Sequence, residues 1–131
     1  MKNLTIAILI LVSFACEKQH EELIKKEDNS LIGTWVFSAY EDDIRILKRS
    51  DKLQDNYGII FKEDYKVIER KNSSFCGTPP ILYADYNGDW KEISDKVLEL
   101  DVEYWGGNST YKMEIVSIDS ETLKFRYIYD E

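Results

Sequence analysis

From residue 31 onward, apolar and polar side chains alternate in short runs separated by turn-forming residues. A period of two puts successive side chains on opposite faces of a strand, so each run reads as a half-buried β-strand. "LIGTWVFSAY" (31–40) places Gly33, Trp35, Phe37 and Ala39 on one face, and "YGIIFKE" (57–63) aligns Ile59 with Phe61. "DYKVIERK" (64–71) follows a tight turn at Glu63-Asp64. "ILYADY" (81–86) and "DWKEIS" (89–94) flank Asn87-Gly88, a favoured two-residue hairpin turn, and are expected to pair across it. "KVLELDVEY" (96–104) sets Leu98, Leu100, Val102 and Tyr104 against Glu99, Asp101 and Glu103. Beyond Gly106-Gly107-Asn108, "TYKMEIV" (110–116) turns Tyr111, Met113 and Ile115 inward. "TLKFRYIY" (122–129) does so with Leu123, Phe125, Tyr127 and Tyr129.

That makes about eight strands, and no stretch between them has a helical period. Sequential antiparallel strands with hairpin-length turns fold as sandwiches or barrels, and only closure removes both edges. The expected fold is therefore all-β, an eight-stranded antiparallel up-and-down barrel. Two connections look longer than hairpins, residues 41–56 and 72–80, and both are expected as loops. The inward set is bulky, with Trp35, Phe37, Phe61, Tyr65, Trp90 and Phe125 among its members. A barrel of this size either holds one small ligand or is filled by its own side chains. Because a buried Tyr hydroxyl or Trp N–H needs a polar partner, Tyr83, Trp90, Tyr104, Tyr111 and Tyr127 are the candidate ligand-binding residues. Tyr86, Tyr104 and Trp105 offer a different use, an exposed aromatic platform beside Asp85 and Asp89, with cross-strand packing as the plainer alternative.

The N-terminus follows another pattern. Lys2 is followed by an uncharged run from Leu4 to Ala15, which ends at Cys16 and turns polar at once. Twelve residues are too few to cross a bilayer core, which takes about 20 in a helix. A basic start and a short apolar stretch form the pattern of a secretory signal peptide. "VSFAC" (12–16) resembles the lipobox of bacterial lipoproteins, although Ser13 and Phe14 stand where Leu and a small residue are usual. That resemblance implies removal of residues 1–15, diacylglycerol on the Cys16 thiol, and residues 16–30 as a lipidated Cys and polar tether below a domain spanning 31–131. Residues 17–30 would reach at most about 45 Å when extended at ~3.3 Å per residue. The competing use of Cys16 is a disulfide to Cys76. With Cys16 lipidated, Cys76 is a lone thiol, expected to be buried or inert.

Composition narrows the function classes. The net charge is −8, and a chain starting at residue 17 loses only Lys2 and stands at −9. With no basic stripe, nucleic acid is not an expected partner. The single His, His20, lies in the tether, so the domain holds neither a Ser-His pair nor a His-based metal cluster. "DYNGD" (85–89) offers oxygens at positions 1, 3 and 5 of a calcium loop, but Gly falls at position 4 and Lys96 occupies position 12. No cofactor, metal or enzymatic activity is expected. A pair of facing carboxylates is the arrangement that an enzyme here would require.

Gly33-Thr34-Trp35 on a first strand, with Leu31 before it, resembles the Gly-x-Trp signature of the lipocalins. "GDW" and "KVLELDV" are also similar to the lipocalin-like domains of bacterial lipoproteins. In that family the Trp closes one barrel end and an Arg near the last strand packs over it. Here Arg126, the Arg of the final run, points away from Leu123, Phe125 and Tyr127 by alternation. The resemblance implies a membrane-anchored protein of the cell envelope, at the outer membrane, that binds or carries a small apolar or amphiphilic molecule. The alternative is a protein-interaction module with a filled core, an inhibitor or immunity-type partner whose negative charge steers a basic protein.

Overall fold

The computed structural model describes residues 30–129, so the signal segment, Cys16, His20 and the tether up to residue 29 lie outside the described residues. Eight strands run as β1 (Gly33–Glu41), β2 (Ile44–Ser50), β3 (Gly58–Phe61), β4 (Lys66–Asn72), β5 (Tyr83–Ser94), β6 (Val97–Tyr104), β7 (Gly107–Ile118) and β8 (Thr122–Ile128). They close into one antiparallel barrel in the order β1-β2-β8-β7-β6-β5-β4-β3. Every strand of the described residues is paired on both sides, and their core cluster draws on all eight strands.

The order leaves a strict meander at one point. β2 folds back on one side of β1 and pairs with β8, whereas β3 pairs on the other side of β1. Residues 51–57 therefore pass across β1. Leu53 reaches the place where a Gly58 side chain would stand, and Gly58 pairs with Val36. Val36 points outward by alternation from Trp35, yet it is only 6% exposed, in keeping with cover from that crossing segment.

Two expectations about strands are corrected. Asn87-Gly88 is not a turn: β5 runs unbroken through it, with Asn87 opposite Ile68 and Gly88 flanked by Val67 and Val102. A Cβ on Gly88 would lie 2.3 Å from the Asp101 carbonyl oxygen and 2.8 Å from the Val102 Cα. Gly is there because two backbones approach closely, not because a hairpin reverses. Residues 41–56 are not a single loop either, since Ile44–Ser50 forms β2 after a tight turn at Asp42-Asp43. Its inward face carries Arg45 and Arg49 around Leu47, a sequence that does not look like a core strand. The eight strands are thus reached with one strand gained and two merged.

The core fills the end of the barrel where the described chain enters. Leu31, Trp35, Phe61, Trp90 and Leu123 pack there, with Leu47, Ile59, Leu100, Met113 and Phe125 above them. Trp35 donates its indole N–H to the Leu31 carbonyl at 2.8 Å, and the Arg49 guanidinium lies 4.2 Å from its ring centroid. Arg49 also donates to the carbonyl oxygens of Ser30, Ile32 and Ser120 at 2.6–3.0 Å, tying three chain segments across this end. Gly33, at φ +135°, leaves the space that Arg49 occupies: a Cβ would stand 2.5 Å from Nη1. The Arg over the Trp thus comes from β2, and Arg126 faces outward to Asp43 and Glu114.

Tyr65 and Tyr129 depart from the inward positions expected of them. Tyr65 sits at φ +62° in the β3–β4 turn, half exposed, with its ring 5.1 Å from that of Trp90. Tyr129 lies past the end of β8 and is exposed.

Candidate functional site

Along the inward face of several strands, apolar side chains give way to polar ones toward the opposite end. Ile59 is followed by Tyr57, Leu47 by Arg45, Val67 by Glu69 and Lys71, Met113 by Tyr111 and Ser109, and Phe125 by Tyr127. In the register of paired strands Arg45 stands opposite Phe125, Glu69 opposite Ile59 and Tyr127 opposite Met113, a stagger of one inward step per pair. Hydrogen bonds and ring contacts nevertheless gather the polar residues into one layer at the open mouth. An open cavity of about 390 Å³ lies over it.

Glu69 is the centre of the layer and is 2% exposed. Its Oε2 accepts the hydroxyls of Tyr57 and Tyr111, both at 2.6 Å, and its Oε1 accepts Lys71 Nζ at 2.7 Å. Three donors on one buried side chain match the acceptor-only capacity of an ionised carboxylate. Tyr57 has given its one proton to Glu69, so in the 3.5 Å contact between Tyr57 and Tyr127 the donor is Tyr127. Tyr127 also packs edge-on against Tyr111 and Phe125. Arg45 lies over this group, its guanidinium 4.7 Å from the Tyr127 ring centroid, 5.4 Å from Tyr57 and 5.5 Å from Tyr40.

Burial first, and then the Glu69 charge, hold the Tyr57 and Tyr111 hydroxyls well above the ordinary phenol range. The same causes push Tyr127 up to about 12, partly opposed by Arg45. These hydroxyls keep their protons at neutral pH and act as fixed donors. The layer can therefore orient a polar group and is poorly suited to removing a proton from one.

Two of the five expected ligand-binding residues, Tyr111 and Tyr127, meet in this layer. Tyr104 lines an adjoining recess of about 350 Å³ with Trp105, Lys71 and Ser109. Trp90 is elsewhere, 3% exposed, edge-on to Phe61 and donating to the Lys62 carbonyl. Tyr83 starts β5 opposite Asn72 and lines neither cavity. The sequence reading missed Arg45, Tyr57, Glu69 and Lys71. Glu69 and Lys71 were accessible by alternation from Val67, because inward positions continue through polar residues.

Of the aromatic platform, Trp105 is exposed and stands edge-on to Tyr104, with Phe75 5.7 Å away. Tyr86 packs on the core instead, with Lys71 Nζ 5.4 Å from its ring. Cys76, expected to be buried or inert, is exposed, so it is not a buried thiol. Hydrogen bonds from Thr78 lower its pKa. The carboxylates of "DYNGD" are engaged in pairs, Asp85 with Arg70 and Asp89 with Lys66. No family model, curated protein or solved structure matches the chain.

Proposed function

We propose that the protein is a non-enzymatic binding protein of the cell envelope, lipocalin-like in design, that holds a small amphiphilic molecule in the mouth of its barrel. The observation that carries this reading is the open cavity of about 390 Å³ above a filled apolar core, floored by the buried Glu69 cluster. Small-molecule sites combine apolar surface with a few fixed polar groups, and this open cup offers tyrosine rings beside the Glu69 cluster and Arg45. The resemblance of residues 12–16 to a lipobox supports a lipid at Cys16. Two or more acyl chains hold a protein stably on a membrane, whereas one holds only marginally. The described chain enters the barrel at the end closed by Trp35 and Arg49, opposite the mouth.

One observation favours a second reading, that of a protein-interaction module. Five large apolar side chains stand exposed around the mouth: Tyr40, Phe75, Leu82, Trp105 and Tyr129, with Phe75 at 83%. Apolar collars of this kind also mark protein contacts.

The test is a native mass spectrum of residues 17–131 after gentle isolation from cells. A bound species of defined mass supports the carrier reading. A clean apo mass from a folded domain counts against tight carriage and moves the search to protein partners at the collar. Anchoring is tested separately: acyl mass on the full chain, lost in Cys16→Ser, is the expected result.

A further inference from the structure

The four arginines of the chain differ in what they face. Arg49 has three carbonyl acceptors, Arg70 has Asp85 and the Gln54 carbonyl, and Arg126 has Asp43 and Glu114. Arg45 has no acceptor among the described residues. Its guanidinium lies on tyrosine faces at the wall of the mouth. The carboxylate nearest in kind, Glu69, is already bound by Tyr57, Tyr111 and Lys71.

Charge and donor counts at the cavity agree. Arg45 and Lys71 against Glu69 leave one positive charge in a protein whose net charge is −8. The Tyr127 hydroxyl beside it also lacks a short acceptor, since its contact with Tyr57 is 3.5 Å. An Arg fork without an acceptor and a hydroxyl held only by that long contact call for an acceptor-only group. A single uncompensated charge matches a singly charged group better than a dianion. The exposed Trp105 and Phe75 lie beside the adjoining recess and offer apolar surface to the rest of such a molecule.

We infer that the mouth takes an amphiphile by its carboxylate, docked on the Arg45 guanidinium with Tyr127 as second donor, its apolar part lying toward Trp105. The inference rests on the small-molecule reading of the cup and names the ligand's head group.

The experiment compares decanoate, decanol and decylamine by calorimetry on residues 17–131 at neutral pH, for wild type, Arg45→Met and Arg45→Lys. The expected order on wild type is decanoate tightest and decylamine weakest. Arg45→Met should weaken decanoate roughly tenfold to a hundredfold, the range of a lost charge-assisted bond, and leave decanol unchanged. Arg45→Lys, which keeps the charge but not the fork, should fall between. If decanol or decylamine binds wild type as tightly as decanoate, the head-group assignment is overturned while the cup stands. Unchanged decanoate affinity in folded Arg45→Met has the same consequence. If none of the three binds, the small-molecule reading falls with it. The ranking on wild type decides the matter even if neither variant folds.

Discussion

Replacing Glu69 by Gln removes one charge from the polar layer and almost no volume. The amide oxygen is still able to accept the Tyr57 and Tyr111 hydroxyls, but its NH₂ group then faces the Lys71 ammonium, donor against donor. Hydrogen bonds to a charged acceptor contribute ~1.5–3 kcal/mol each, against ~1 for neutral pairs, so each tyrosine bond loses about 1 kcal/mol. Lys71 is partly exposed and swings into solvent, so its pair adds little to that loss. Relief of the buried charge works in the other direction. The expected net cost is about 2 kcal/mol. Glu69→Ala strands both hydroxyls at ~1–3 kcal/mol each and should cost about 4 kcal/mol. For a domain of this size 1 kcal/mol moves Tm by ~4–8 °C, so Gln lowers it by roughly 10–15 °C and Ala further. Scanning calorimetry on residues 17–131 measures both. The double variant Glu69→Leu with Lys71→Met still strands both hydroxyls and should cost about as much as Glu69→Leu alone. A Glu69→Gln protein within about 0.5 kcal/mol of wild type, with Glu69→Ala no worse, would refute the hydrogen-bonded cluster.

Alkaline pH acts on the same layer. A phenol raised in the folded state ionises first in the unfolded chain, so its contribution is constant below pH ~10 and is lost as pH rises toward 12. For Tyr127 the rise from 10.0 to about 12 corresponds to ~3 kcal/mol, read as a falling urea midpoint while tyrosinate absorbance lags in the folded protein. Gly88→Ala forces a Cβ against the backbone of Asp101 and Val102, which cannot yield, and should cost ~1–3 kcal/mol or more in urea unfolding. A neutral result would mean the β5–β6 approach is looser than described. Arg49→Lys loses the stack on Trp35 and two of three carbonyl bonds, and should cost ~2–3 kcal/mol by thermal unfolding; an unchanged Tm would show that this end is held otherwise. Cys76, exposed and with a lowered pKa, should react with a disulfide reagent in the native state as fast as in the unfolded one, and protection would contradict its exposure.

The all-β class was legible because β1, β3, β6, β7 and β8 each carry a run of apolar residues at every second position, and the pleat alone dictates that spacing. Part of the site was legible too, since Tyr111 and Tyr127 continue the faces begun by Met113 and Phe125. β2 was hidden because its inward positions alternate Arg45, Leu47 and Arg49. Those cations become acceptable only against the rings of Trp35 and Tyr127, which come from other strands. Asn87-Gly88 carries a hairpin signal that is purely local. Pairing of Gly88 on both sides, with Val67 and Val102, keeps it inside one continuous strand.

The sequence by itself determined the strands that alternate cleanly, the closure of a sheet whose edges would otherwise be bare, and the acidic surface. Each of those follows from spacing or composition, which distant contacts do not change. Only the tertiary structure decided that β2 lies between β1 and β8, that Arg49 and not Arg126 covers Trp35, and that Glu69 accepts two tyrosine hydroxyls. The reason is that a polar side chain on an inward face gains its meaning from the partner across the barrel, and that partner is set by closure rather than by sequence neighbours.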